Sequence, residues 1–134
     1  VLDIGTYYLN NLLPFKDRGC KLFGVETTTD AVKISKSIAK KIKINCKIKL
    51  GTNRSLNFKN NYFDFVMSIN TIHYEESKEQ LIEALREINR VLKPGGCFVV
   101  ETNSPKHSFS KSTKNWTSAR SLWRIFKREN LSTW

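Results

Sequence analysis

The sequence predicts an α/β fold in which a mostly parallel, twisted sheet is flanked by helices. Short apolar runs alternate along the chain with stretches whose apolar residues recur at helical spacing. Such alternation is typical of strand–helix–strand units, which build parallel sheets. Polar and acidic residues also stand directly after several of the apolar runs. In open parallel sheets this is where ligands bind, beyond the carboxyl ends of the strands.

The first two predicted strands are short and apolar. Residues 1–5 (VLDIG) end at a glycine, and residues 21–26 (KLFGVE) end at an acid. Between them stands Pro14, which disfavours helical conformation at Leu13. We therefore expect the first helix to be shortened.

A helix is predicted from Asp30 to Lys41, and a third strand at residues 44–50. Asp30 is a suitable N-cap residue. One face of this helix is apolar and carries Val32, Ile34, Ile38 and Ile42. The third strand (INCKIKL) alternates apolar and polar residues, which indicates that one face is exposed. Lys47 and Lys49 on that face suit a sheet edge, because charge discourages pairing with another chain.

Two further strands enclose the clearest helix. Residues 62–69 (YFDFVMSI) predict a buried strand, and residues 97–102 (CFVVET) predict the next one. Ser77 and Gln80 form a capping box at the start of the helix. Its apolar face carries Leu81, Leu85, Ile88 and Leu92. The turn at residues 94–96 (PGG) is expected to end it.

The last part of the chain differs in character, so the sequence divides into a core at residues 1–102 and a segment at residues 103–134. Residues 103–121 are rich in Ser, Thr and Lys without periodicity, which predicts a long loop that serves as a lid. An amphipathic C-terminal helix is predicted next, with Ala119, Leu122, Trp123 and Phe126 on its apolar stripe. No strand is recognised after the fifth, so its outer edge is expected to be unpaired.

Composition and charge limit the possible functions. The chain has 134 residues, which suits one domain, and a formal net charge of +11. The basic excess allows a nucleic-acid partner, but no aromatic residues are interleaved with the lysines, and a solvated basic face is favoured. No apolar run approaches the roughly 18 residues of a membrane helix, and no secretory signal is recognised. A cytoplasmic protein is expected, and no oligomeric state is predicted.

No metal site is predicted, because Cys20, Cys46 and Cys97 are far apart and are not part of a cluster of ligands. A nucleoside-containing cofactor is predicted instead. Gly5 after the first strand lets backbone N–H groups approach a ligand closely. Glu26 ends the second strand, where a carboxylate can accept hydrogen bonds from both ribose hydroxyls.

Four segments of the chain resemble motifs of the class I S-adenosylmethionine-dependent methyltransferases, specifically the type 11 group. They are VLDIG, GVETTTDAV, GTNRSLNFKNNYFDFVMSINTIHY and REINRVLKPGGCFVVET, in the family's order and over residues 1–102. The resemblance implies a Rossmann-like core with strand order 3-2-1-4-5. It also implies a helix before the first strand and two strands after the fifth, which are not recognised here. The chain begins without Met and is expected to be truncated at both ends, with its sheet incomplete at the C-terminal end.

The resemblance also implies which residues bind S-adenosylmethionine. The residues of the first turn are Asp3, Gly5, Thr6 and Tyr7, with Asp3 and Gly5 near the methionyl end. Around the nucleoside, Glu26 binds the ribose, Thr27 lies beside the adenine, and Thr52 and Asn53 border the adenine edge. Ser68 and Ile69 contribute backbone to the cofactor wall. The acceptor side is formed by Asn70, His73 and Tyr74, and His73 is the candidate base that removes an acceptor proton.

Two departures from the family pattern leave alternatives open. The glycine-rich turn of the family has further glycines where this chain has Tyr7 and Leu9, and these side chains would occupy space that the cofactor's carboxylate approaches. The acid often found at the position of Thr52 is also absent. Methyl transfer to a small-molecule acceptor is the favoured function. A non-catalytic scaffold or decayed gene product is the alternative, and an RNA methyltransferase, suggested by charge alone, is a third.

Overall fold

A computed structural model describes residues 1–103 and 121–129. The strands in chain order are β1 (Leu2–Ile4), β2 (Leu22–Glu26), β3 (Cys46–Leu50), β4 (Phe63–Ile69), β5 (Leu92–Asn103) and β6 (Ser121–Lys127). The α-helices are α1 (Thr29–Lys41) and α2 (Lys78–Val91). Two short 3-10 helices, Asn10–Phe15 and Ile72–Tyr74, follow β1 and β4. None of the helices in these ranges is long and apolar enough to cross a membrane.

The six strands form one sheet in the order β3-β2-β1-β4-β5-β6. All neighbouring pairs from β3 to β5 are parallel, which confirms the predicted order 3-2-1-4-5. Ile4 at the end of β1 pairs with Val25 and with Ser68, and Glu26 pairs with Leu50. The carboxyl ends of β1, β2, β3 and β4 therefore meet at one edge of the sheet.

The core lies on both faces of this sheet. One cluster, on the face covered by α2, includes Leu2, Phe23, Val66, Ile88 and Phe98. The other cluster, on the face covered by α1 and the first 3-10 helix, includes Leu9, Leu12, Ala39, Ile48 and Met67. Because side chains alternate along a strand, β2, β4 and β5 supply residues to both clusters.

Helix α1 begins one residue before its predicted N-cap. The N-cap is Thr28, whose hydroxyl accepts the Ala31 N–H at 3.1 Å, while Asp30 lies in the first turn. The prediction of Asp30 as the N-cap is therefore wrong. Its carboxylate still lies near the positive end of the helix dipole, where a negative charge is favourable. The first helix is short, as predicted: it is a six-residue 3-10 helix that contains Pro14.

Helix α2 begins as predicted and ends earlier. The Ser77 hydroxyl accepts the Gln80 N–H at 3.2 Å, and the Gln80 side chain accepts the Glu76 N–H at 2.8 Å. The chain turns extended at Leu92, which already pairs with Phe63 in the sheet. The Pro-Gly-Gly turn therefore does not end the helix. It lies at an irregularity within β5, before regular pairing with β4 resumes at residues 65 and 97.

The predicted C-terminal helix is wrong, because Ser121–Lys127 forms β6, antiparallel to β5. The expected unpaired edge of β5 is therefore also wrong. The side chains of this segment alternate as in a strand. Phe126 packs against the core, while Ile125 and Lys127 on either side of it are exposed. Of the lid predicted at residues 103–121, residues 104–120 lie outside the described residues, while Asn103 ends β5 and Ser121 begins β6.

Candidate functional site

A cleft of about 510 Å³ opens at the carboxyl edge of the sheet, where β1, β2 and β3 end. Small-molecule sites typically have volumes of roughly 300–1,000 Å³. Of the sequence-predicted residues, seven line the cleft: Gly5, Tyr7, Glu26, Thr27, Thr52, Asn53 and Tyr74. The structure therefore brings together three strand ends that are far apart in the sequence.

The other predicted residues do not line this cleft. Asp3, Thr6 and Ser68 are buried beneath its edge, Ile69 is half-buried and Asn70 is exposed. His73 lies in a neighbouring depression. Arg54, Thr71, Glu75, Glu76 and Gln80 are among the lining residues that were not predicted from the sequence.

Glu26 is nearly buried at the end of β2 and already has one hydrogen-bond partner. Its Oε1 accepts the backbone N–H of Tyr7 at 2.5 Å. Burial raises the pKa of the Glu26 carboxyl above its usual value, and the bond from Tyr7 opposes that shift. Among the described residues no other group donates to this carboxylate, so it retains accepting capacity toward the cleft.

In the turn after β1, two residues that are not glycine adopt a positive φ. Tyr7 has a φ of 28° and Leu9 has a φ of 62°. Left-handed backbone costs an ordinary residue about 1–2 kcal/mol. Leu9 is fully buried in the core and does not line the cleft. Its side chain therefore does not occupy the space that the cofactor's carboxylate was expected to approach. Tyr7 does line the cleft, with its ring edge-to-face against Tyr8.

Gly5 is required by the close approach of Thr71. Its φ is 75°, and a Cβ at this position would lie 2.1 Å from Cγ2 of Thr71. The Thr71 hydroxyl donates to the Ile4 carbonyl at 3.2 Å and forms a 2.5 Å hydrogen bond with the Ser68 hydroxyl. Thr71 therefore ties the ends of β1 and β4 together at the floor of the cleft.

Glu75 organises the far wall of the cleft. Its Oε1 accepts the Asn53 side-chain amide at 3.0 Å, and its Oε2 pairs with Nε of Arg54 at 3.0 Å. The Glu75 side chain is only 8% exposed, whereas Arg54 is 41% exposed. The side-chain oxygen of Asn53 is buried and has no partner among the described residues. An unpartnered acceptor of this kind favours a ligand that brings a donor.

Asp3 lies beneath the cleft with no exposed surface. Burial raises the pKa of its carboxyl from 3.8 to about 7, although hydrogen bonding from the Asn11 amide, at 3.3 and 3.4 Å, opposes the shift. The Asp3 carboxyl therefore keeps its proton to a higher pH than an exposed aspartate does.

His73 faces an apolar depression of about 460 Å³ beside the cleft. Its walls include Ile72, Leu81 and Phe98, and Glu75 and Glu76 line both spaces. Burial lowers the pKa of His73, so the ring is mainly neutral at pH 7, and its buried Nδ1 has no partner among the described residues. A neutral imidazole is able to accept a proton.

The cleft has the opposite charge to the whole chain. Three carboxylates line it, from Glu26, Glu75 and Glu76, and Arg54 is the one basic lining residue. This lining favours a ligand that carries positive charge. Within residues 1–103 and 121–129, no three His, Cys, Asp or Glu residues are grouped so as to hold a metal ion.

The chain is similar to known methyltransferases over most of its length. Residues 2–100 match the family described as "Methyltransferase domain". The sterol 4-C-methyltransferase strm-1 of Caenorhabditis elegans is 30% identical over 115 residues, 84% of this chain and 34% of that protein. The probable tRNA methyltransferase 9B of Mus musculus is 38% identical over 55 residues, 41% of this chain and 12% of that protein. The matches span about a third and an eighth of these relatives' lengths.

A solved structure is similar over most of the chain. The YcgJ protein from Bacillus subtilis aligns with a TM-score of 0.69 and 29% identity, covering 76% of this chain and 43% of that one. Its similarity supports the α/β fold with a mostly parallel sheet.

Proposed function

The chain belongs to the class I methyltransferase family, and on that premise we propose that it transfers a methyl group from S-adenosylmethionine to a small-molecule acceptor. The observation that carries the proposal is Glu26, a nearly buried carboxylate at the end of β2 in a cleft of suitable volume. Its remaining accepting capacity suits the vicinal hydroxyls of a ribose.

The residues of the cleft fit the other parts of this cofactor. The unpartnered oxygen of Asn53 offers an acceptor for the adenine amino group, with Thr52 beside it and Thr27 next to the ring. Gly5 and Tyr7 supply the turn toward the methionyl end. The remaining proposed contacts come from beneath or beside the cleft: Asp3, Thr6, and the backbone of Ser68 and Ile69.

S-adenosylmethionine, when bound, supplies an electrophilic methyl group on a sulfonium. The chain then has to align the acceptor, exclude water and stabilise the positive charge of the sulfonium. The carboxylates of Glu26, Glu75 and Glu76 make the cleft negative, although the chain as a whole is strongly positive. No nucleophile on the protein is needed for this reaction.

The acceptor side is proposed to lie toward Asn70, His73 and Tyr74. His73 borders an apolar depression that adjoins the cleft, and its lowered pKa leaves a neutral ring to take the acceptor's proton. The similarity over 84% of the chain to a protein named sterol 4-C-methyltransferase supports a small acceptor with an apolar body. The shorter similarity to a probable tRNA methyltransferase, with the net charge of +11, supports an RNA acceptor as the second candidate.

Calorimetric titration of S-adenosylhomocysteine tests the proposal and separates it from a non-catalytic scaffold. We expect micromolar binding, weakened about 10- to 100-fold in Glu26→Gln, because hydrogen bonds to a charged group are worth roughly 1.5–3 kcal/mol. Glu79→Gln, an exposed change on α2, is the matched control and should bind as the native chain does. Absence of binding by the folded chain, or equal weakening in both variants, would contradict the proposal.

A further inference from the structure

A second concave surface, here called the basic groove, lies on the sheet face beside the edge strand β3. Its volume is about 680 Å³, and it shares no lining residue with the cleft. The residues that define it are Lys47, Lys49, Lys59, Phe58 and Tyr62. Lysines and aromatic rings therefore occupy one surface.

Strand alternation directs two of these lysines into the groove. Ile48 packs in the core cluster on the α1 side. Lys47 and Lys49, on either side of it, therefore point to the opposite face, where both are exposed. Lys59 is also exposed and comes from the connection between β3 and β4. Lys49 Nζ donates to the Asn57 carbonyl at 3.0 Å and lies 4.5 Å from the centroid of the Phe58 ring.

The positive charge of the groove is not balanced locally. Glu87 is the one carboxylate among its lining residues, and both of its oxygens accept hydrogen bonds from Arg90, at 2.6 and 2.7 Å. Glu87 and Arg90 therefore neutralise each other and fix the groove wall, which leaves the three lysines unpaired by any carboxylate there.

Two aromatic rings line the groove beside these lysines. Phe58 and Tyr62 are nearly parallel, at 16°, with centroids 6.2 Å apart. Phe23 contacts both rings edge-on, each at 5.6 Å, and so fixes their orientation. Tyr62 remains 41% exposed. Phe58 also packs against the core, so the exposed ring of Tyr62 is the aromatic face that the groove offers to a ligand.

We propose that the basic groove binds a single-stranded nucleic acid, with Lys47, Lys49 and Lys59 neutralising phosphates and the exposed ring of Tyr62 stacking against a base. Phosphate neutralisation by lysine releases counterions and supplies affinity without regard to sequence. Aromatic faces add stacking that only unpaired bases can use. The proposal does not depend on methyl transfer, because the groove and the cleft are separate.

Fluorescence anisotropy with a labelled twelve-nucleotide oligouridylate tests this on the 134-residue chain. We expect affinity to fall steeply between 50 and 200 mM salt. Lys47→Gln with Lys59→Gln should weaken binding about tenfold and reduce the salt slope by about 2, roughly one per lost phosphate contact. The matched control is Lys36→Gln with Lys40→Gln, which removes the same charge from exposed positions on α1, on the other face of the sheet.

A third variant separates stacking from charge. Tyr62→Leu should weaken binding severalfold while leaving the salt slope unchanged, because it removes a stacking face and no charge. Melting curves of every variant establish that the fold is intact. Saturating S-adenosylhomocysteine should leave RNA affinity unchanged, so failure of cofactor binding and failure of the groove are separate results.

Each arm of the experiment decides for or against the groove. Similar affinity for an oligothymidylate supports the shared phosphate and base chemistry. Equal weakening by both lysine pairs overturns the proposal, because it shows that only overall charge matters. Tighter binding of an RNA duplex overturns the stacking role. Binding to phosphatidylserine vesicles that depends on Lys47 and Lys59, without RNA binding, overturns it in favour of a membrane surface.

Discussion

Asp3 makes the stability of the folded chain depend on pH. Its carboxyl has no exposed surface, and burial raises its pKa from 3.8 to about 7. The folded chain therefore holds a proton on Asp3 where the unfolded chain has lost it. The stability from this proton is fully present below about pH 4 and is lost as the pH rises through 7. A shift of roughly three units corresponds to about 4 kcal/mol.

Replacing Asp3 by Asn should remove this dependence. The difference in free energy of unfolding between Asp3→Asn and the native chain should shift in favour of the variant from pH 4 to pH 8, because Asn cannot ionise. Urea unfolding at several pH values measures the difference. Asp64→Asn is the control, since the Asp64 side chain is 78% exposed and pairs with Lys93. Parallel profiles for Asp3→Asn and the native chain would show that Asp3 does not titrate in this range.

The sequence could predict single residues only where a local motif marks them. Gly5 and Glu26 stand at strand ends, and both line the cleft as expected. Thr71 and Glu75 also line it, but no local signal marked them. Their partners lie on β1 and after β3, and that proximity exists only once the chain after β4 turns back over the strand ends.

At the scale of elements, Arg90 near the end of α2 fastens the connection between β3 and β4. Its five N–H groups all donate: two bonds go to Glu87, one each to the carbonyls of Leu56 and Phe58, and one to the Asn60 side chain. Lysine lacks the planar fork that this arrangement uses. The connection contains no helix or strand, only a bridge between Thr52 and Ser55, so bonds of this kind help to hold it in place.

We expect Arg90→Lys to destabilise the fold by about 2 kcal/mol, because several partly buried hydrogen bonds are lost together. Denaturant unfolding measures this loss. Arg86→Lys makes the same change one turn earlier on α2, at an exposed position, and should be nearly neutral. Similar losses in the two variants would mean that the bonds of Arg90 contribute nothing specific.

The element that the sequence misassigned is β6. The spacing of Leu122, Trp123 and Phe126 suits a helical stripe, but seven residues are also enough for a strand. The choice depends on the edge of β5, whose backbone groups need partners, and this long-range demand is not visible in a local pattern. By contrast, the start of α2 was predicted correctly, because its cap is a local signal, whereas its end at Val91 was not.

At the scale of the whole molecule, charge is divided between two surfaces. The cleft at the carboxyl edge is lined mainly by acids, and the basic groove beside β3 is lined by lysines. The strand order 3-2-1-4-5 that the family resemblance implied was correct. The alternation of strands and helices by itself predicted only a mostly parallel sheet. The aromatic rings beside the lysines were not predicted, since Phe58 and Tyr62 reach Lys47 and Lys49 only through the fold.

The most direct test of the account is a nuclear magnetic resonance titration of the nitrogen-15-labelled chain with S-adenosylhomocysteine. The amide of Tyr7 is the central probe, because its N–H donates to Glu26. We predict that shifts concentrate at Gly5, Tyr7 and Glu26, and at residues 51–54 on the opposite side of the cleft. A well-dispersed spectrum that does not change, or changes only at residues remote from the cleft, would contradict the assignment of a methyltransferase cofactor site.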